Sequence, residues 1–193
     1  MQGRQRGFTL LELMVVLMVI GLLLSMVNLA SSDNAAQSDT EDFGRQLQAA
    51  FTQYRQEAVF QNLDLGGGWL PDEFWLLVYT DPNSRELTQN MSVEDLTRLQ
   101  ENPWLPYQGD LAPTLEIPED IYVRLVIDDE EIVRDDLLDE DTGPLPALLF
   151  LSSDEYTPFR MELTHDSDER FMVILSGDGI NPISVETVRP DEF

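Results

Sequence analysis

The chain has no cysteine, no lysine and one histidine, and it sets 11 basic residues against 37 acids in 193 residues. Without cysteine there is neither a disulfide framework nor a thiol nucleophile. Without lysine, a phosphate-cradling loop ending in Gly-Lys-Ser or Gly-Lys-Thr is excluded. All 11 basic residues are arginine, and the net charge of −26 argues against DNA, RNA or an anionic lipid surface as partner. The lone histidine, His165, stands beside Asp166 and Ser167 in a stretch of turn composition. Neighbours in a hairpin turn point away from one another, so no Ser-His-Asp relay is expected, and His165 reads as a solvated turn residue. The length leaves room for one membrane helix and one domain of ordinary size.

What is present is concentrated at the N-terminus. From Leu10 to Ala30 there are 21 residues, of which only Glu12, Gly21, Ser25 and Asn28 are not apolar. As a helix this run reaches about 30 Å, enough to cross the hydrocarbon layer of a bilayer. Arg4 and Arg6 precede it, and the next basic residue is Arg45, which places the N-terminus in the cytoplasm and the rest outside. Glu12 is the anomaly, because a carboxylate in lipid costs on the order of 2.5–3.5 kcal/mol or more and calls for a partner or a function. A plain signal anchor leaves Glu12 unexplained. A removable secretory signal would carry that carboxylate in its core, and nothing near Ser25–Ser32 forms a good small-x-small cleavage site.

Beyond Ala30, residues 31–40 are small and polar, and from Phe43 a helical period is clear. Phe43, Leu47, Ala50, Phe51, Tyr54 and Ala58 recur at steps of three and four, with arginine and glutamine between them. The pattern predicts one helix from about Thr9 to Gln61, ended by Asn62 or by Gly66-Gly67-Gly68, the latter read as a helix exit and flexible loop. The period then changes. Strands are expected at 74–80, 121–127, 147–151, 159–164, 171–176 and 183–188, with a short helix from Ser92 to about Gln100 capped by Ser92 and Asp95. Four prolines between Asn102 and Pro118 predict an irregular loop, and Asp128–Glu131 an acidic turn. One helix and then runs of strands is an α+β pattern, a mostly antiparallel sheet laid against the helix.

The string Arg6-Gly7-Phe8-Thr9-Leu10-Leu11-Glu12 ahead of a long apolar helix resembles the N-terminus of type IV prepilins and type II secretion pseudopilins. That resemblance implies a type IV pilin-like fold in three parts. Residues 1–7, with their leader charges Arg4 and Arg6, form a cleaved leader. Residues 8–30 form a transmembrane and assembly helix, and residues 31–193 a periplasmic domain that includes the helix's second half. It implies cleavage after Gly7 by the membrane-embedded prepilin peptidase and N-methylation of Phe8. Removal of the leader leaves nine arginines against 37 acids, a side-chain charge of −28. It also implies a salt bridge in assembly between Glu12 and the N-terminal amine of a neighbouring subunit, each group offering the other the opposite charge it needs in low dielectric.

Later segments are similar to H-type minor pseudopilins in particular. Leu149-Phe150-Leu151-Ser152-Ser153-Asp154-Glu155-Tyr156-Thr157-Pro158-Phe159 resembles their strand, turn and Thr-Pro-Phe strand. Phe171–Gly179 resembles their last strand and glycine turn, and Gln56-Glu57-Ala58-Val59 the end of their first helix. The resemblance implies a structural, non-enzymatic subunit near the tip of the periplasmic pseudopilus, needed for its assembly and for export of folded proteins across the outer membrane. Its implied partners are minor pseudopilins of the I, J and K types, the major G-type pseudopilin, the prepilin peptidase and the inner-membrane assembly platform. The implied location is the inner membrane, single-pass, with extraction into the pseudopilus. The alternatives are a minor type IV pilin of the FimT kind, serving adhesion or DNA uptake, and an anchored periplasmic enzyme or binding protein. DNA uptake would want clustered arginine, whereas residues 120–193 carry far more acids. No cofactor is expected. Asp139–Gly143 and Asp166–Glu169 offer the oxygens calcium favours, but neither has the twelve-residue loop with a distant bidentate Glu.

Overall fold

The computed structural model describes residues 10–139 and 141–189, without the side chains of residues 22–34 and Glu86. Helix α1, Leu10–Gln61, runs unbroken for 52 residues, and of the two expected stops, Asn62 and Gly66-Gly67-Gly68, it ends at the first. Its end is a left-handed cap. Asn62 takes φ 54°, Leu63 N–H donates to Ala58 O at 3.0 Å and Asn62 N–H to Val59 O at 3.3 Å. Asparagine tolerates that backbone angle better than most residues, which is why the helix stops there.

Twelve short strands and two small helices follow. Strands β1 (Leu65–Trp69) and β2 (Glu73–Tyr79) form a hairpin. After the turn at Asp81–Ser84 come α2 (Arg85–Thr88) and α3 (Val93–Glu101), the latter capped by Ser92 Oγ accepting from Asp95 N–H. Strands β3 (Trp104–Pro106) and β4 (Thr114–Glu116) both pair with β2. Next are β5 (Ile121–Ile127), β6 (Glu130–Glu131), a 3-10 turn at Arg134–Leu137, and the pair β7 (Leu138–Asp139) and β8 (Gly143–Pro144). The chain closes with β9 (Pro146–Phe150), β10 (Phe159–His165), β11 (Asp168–Gly177) and β12 (Ser184–Val188).

These make two five-stranded sheets rather than the single sheet expected. One runs β3-β2-β1-β9 with β4 also on β2, the other β12-β11-β10-β5-β6, and every pairing is antiparallel. The α+β class holds. The buried residues of α1 are Ala36, Thr40, Phe43, Leu47, Phe51, Tyr54 and Ala58, a stripe at steps of three and four. Phe51 meets Phe74 and Phe150 of the first sheet at ring distances of 5.9 and 5.7 Å, and Phe159 of the second at 5.8 Å. The helix is therefore shared between two sheets.

Two expectations fail for identifiable reasons. Gly66-Gly67-Gly68 is the middle of the buried strand β1, not a flexible loop. A Cβ on Gly66 would sit 2.7 Å from Pro146 Cβ and 3.0 Å from the Trp104 ring. The glycines thus serve close approach rather than freedom of backbone angle. The proline-rich stretch 102–118 contains β3 and β4, because proline is tolerated in strands that pair along one edge only.

Gly44 has the same role on α1, where a Cβ would lie 2.7 Å from Val173 Cγ1 on β11. Gly44→Ala should destabilise the chain by about 1–3 kcal/mol through overpacking. In Val173→Ala the same change should turn neutral or stabilising, as alanine's helix propensity of about 1 kcal/mol takes over. Phe51→Ala should cost about 3–5 kcal/mol. Denaturant titration of the detergent-solubilised chain measures all three.

Candidate functional site

The first part of α1 has no domain beneath it. Leu10 is 78% exposed and Leu11 73%, and every apolar side chain through Ile20, at 45%, remains uncovered. A bare apolar stripe of this kind is stable only against lipid or other helices. Glu12 lies in the first turn of α1 with its side chain on this exposed rod. Among the described residues no helix is long and apolar enough to cross a membrane. The expected span, 8–30, falls only partly within them. Arg4, Arg6, Gly7 and Phe8 lie outside the described residues.

The second part of α1 is keyed to the domain by polar side chains as well as by its apolar stripe. Arg55 is the main latch. Its Nε donates to Asp154 Oδ1 at 2.6 Å and Asp154 O at 3.0 Å, while its terminal nitrogens donate to Ile180 O at 2.5 Å and Asn181 O at 3.2 Å. The guanidinium also lies 5.0 Å from the centre of the Tyr156 ring. Gln48 donates to Ile183 O at 2.7 Å and Gln37 to Asp168 Oδ2 at 2.9 Å. Tyr107 O–H donates to Glu57 Oε1 at 2.5 Å. Burial first, and then that carboxylate, push the Tyr107 phenol up to about 12.

The loop that Arg55 grips is the Gly177-Asp178-Gly179 turn expected from the sequence. Gly179 adopts φ 93°, and Asp178 accepts from Asn181 Nδ2 and from the N–H groups of Asn181 and Ile180 at 2.7–3.0 Å. These donors, the Asn181 side chain foremost, lower the Asp178 carboxyl from 3.8 to about 2.

His165 corrects the sequence reading. It is the last residue of β10 and only 9% exposed, not a solvated turn residue. Alternation along β10 turns it inward with Phe159, Met161 and Leu163. Its Nδ1 accepts from the Ser167 backbone N–H at 3.1 Å and lies 3.9 Å from Asp166 Oδ1, beyond hydrogen-bond reach. Ser167 thus contributes its backbone, and the three groups form no relay. The acidic stretches are knit internally. Asp139 Oδ1 accepts from Asp141 and Thr142 N–H at 2.9 and 2.8 Å, and Asp168 Oδ1 from Arg170 N–H at 3.2 Å. The contacts of Arg55, Asp154 and Glu57 lay beyond sequence reading, because their partners are 50 or more positions away.

One helix thus carries an acid in the first turn of its uncovered apolar stretch and, further along, the row of side chains on which the domain packs. Residues 2–28 match the prokaryotic N-terminal methylation motif. Over 188 residues the chain is 27% identical to Type II secretion system protein H of Pseudomonas aeruginosa, covering 95% of this chain and 97% of that one. It is 28% identical over 175 residues to the protein of the same name from Dickeya chrysanthemi, covering 89% and 91%. The minor pseudopilin EpsH from the type 2 secretion system of Vibrio cholerae matches with a TM-score of 0.48 at 16% identity, over 81% of this chain and 98% of that one. The chain is thus similar, nearly end to end, to Type II secretion system protein H of two bacteria.

The lowered Asp178 carboxyl has a consequence for stability. A depressed carboxyl stabilises the fold in full above its unfolded value and loses that contribution as pH falls through the folded one. Relative to the parent, Asp178→Ala should be less thermostable at pH 5, with the gap narrowing as pH falls from about 4 to about 2. Melting curves across that range test it, and a gap independent of pH would contradict the assignment.

Proposed function

We propose that the chain is a structural minor pseudopilin of a type II secretion system. It is held in the inner membrane by residues 8–30, with its domain in the periplasm, and is drawn into the pseudopilus near the tip. The reading rests on one observation above all: a methylation-motif N-terminus stands at the head of a 52-residue helix whose distal half is the core of the domain. A force or displacement applied to the anchor is transmitted to the domain through that helix. The partners of this reading are the I-, J- and K-type minor pseudopilins, the major G-type pseudopilin, the prepilin peptidase and the inner-membrane assembly platform. The function is assembly rather than catalysis, and it requires no cofactor, since contacts alone carry it.

In this reading cleavage after Gly7 frees the amine of Phe8, which is then methylated and lies four residues from Glu12. In lipid, Glu12 and a neighbour's amine each lack water and find in one another the missing charge. Breaking such a pair leaves one charge uncompensated, a cost of about 3–5 kcal/mol, or on the order of a hundredfold or more in incorporation. Glu12→Leu should therefore insert in the membrane normally and enter the pseudopilus poorly, with secretion lost in step. Fractionation, pseudopilus shearing and a secretion assay read the three stages. Mass spectrometry of the native protein should find the chain beginning at a methylated Phe8, and an intact leader would sink the proposal.

A further inference from the structure

Where α1 first meets the domain, the helix, the 118–120 turn and the β10–β11 hairpin enclose a cleft of about 250 Å³. This is below the roughly 300–1,000 Å³ of small-molecule pockets, and so of side-chain rather than cofactor size. Phe43, Pro118 and Ile121 give it apolar walls, while Asp39 and Asp120 stand at its rim. Arg45 already holds Asp42 at 3.0 Å, but among the described residues no arginine pairs with Asp39 or Asp120. The 118–120 turn is fixed against the hairpin by Asp166 N–H donating to Asp120 O at 3.0 Å.

The second observation is His165, which lines this cleft with its side chain 11% exposed. Its Nδ1 is an acceptor for Ser167 N–H, so the neutral ring carries its proton on Nε2. Among the described residues no group accepts that proton. Nor is the nitrogen sealed in: the buried side-chain donors without partners, among the described residues, are the indoles of Trp69 and Trp75. A donor on the wall and two carboxylates on the rim call for a ligand with an acceptor and a positive charge. A metal ion does not answer to a ring nitrogen that already bears hydrogen. Among the described residues no group of three or more His, Cys, Asp or Glu is arranged to hold one.

We infer that this cleft seats an arginine or lysine side chain of a neighbouring, more basic subunit, its head between Asp39 and Asp120 and its main-chain carbonyl on His165 Nε2–H. The inference rests on the assembly reading above and names the chemistry of one contact within it. A second copy of this chain is the wrong occupant. Two copies would bring side-chain charges of −28 together. Every arginine beyond the leader except Arg85 and Arg170 is also already held within the chain.

His165 is the only histidine, so its ring is a single reporter. The full chain in detergent, labelled with nitrogen-15 at histidine, is titrated with each of the other purified pseudopilins of the same system. One of them should bind and shift the His165 ring resonance. Asp39→Asn with Asp120→Asn should weaken that binding by about tenfold or more and flatten its salt dependence. The melting temperature should be unchanged, because both carboxylates are exposed and without ion pairs inside the chain. Asp39→Glu should bind like the parent, and Asp39→Arg should be rescued by an arginine-to-glutamate change in the partner. If a subunit binds the parent chain but the resonance stays put and the double variant binds within about twofold, the cleft assignment is wrong while the assembly reading stands. If none of the subunits binds the parent chain, the assembly reading fails and the cleft falls with it.

Discussion

Two sheets depend on one stripe of one helix. The inner faces of β10 and β11 and those of β1, β2 and β9 meet the same row of α1 side chains, with Phe51 touching aromatic rings from both sheets. Remove the stripe and neither sheet has its inner face covered by a helix. This sharing has a mechanical consequence. Buried residues from Ala36 to Ala58 extend over about 33 Å of helix, so the domain is gripped along a length and not at a point. A rod gripped at one point would pivot, whereas one gripped along that length keeps its direction. The domain is therefore fixed in orientation relative to residues 36–58 of the helix.

The absence of lysine takes on meaning beside the polar latches. Arg55 reaches a carboxylate and three backbone carbonyls at once and lies over an aromatic ring. A lysine ammonium, with three donors on a compact head, cannot span that set. The remaining arginines work in the same way at lower stakes. Arg124 bridges Glu131 and Glu162 across strands, and Arg134 joins Pro71 O to the face of Trp69. In so acidic a chain, fork-shaped cations that each satisfy several acceptors make few positive residues go far. Some carboxylates that arginine does not reach, Asp139 and Asp178 among them, turn instead to N–H groups.

How much of this could be read from the residues follows from the range of each interaction. The long helix, its stop at Asn62, the Ser92 cap and six strands are local events, governed by period and by neighbours three or four positions away. Each is found where those signals place it. Gly66-Gly67-Gly68 misleads because glycine has two uses, freedom of angle and absence of a side chain, and only the positions of Pro146 and Trp104 decide between them. His165 misleads because the strand runs one residue further than its turn-like neighbours suggest, and strand alternation then turns the ring inward. The division into two sheets was invisible for a similar reason, since the pairing of β1 with β9 joins segments some 80 positions apart. Of the candidate site, the place of Glu12 on the apolar stretch of the long helix was legible from the residues alone. The latches and the cleft were not, because each is assembled from three or more distant segments.

In the proposed assembly the two halves of the helix also divide the chemistry. Glu12 and Asp39 lie 27 positions apart on one unbroken helix, about 40 Å along a single axis. An ion pair in lipid and an ion pair in water respond to different things: the first to whether the amine is free, the second to salt and to the identity of the neighbour. A stiff rod that carries both converts two weakly selective contacts into one distance, and a neighbour must satisfy both ends at once. Linked contacts of this kind gain in affinity only when the geometry lets both engage together. In the proposed assembly the continuity of α1 from Glu12 to Asp39 is what makes that distance a criterion of selection.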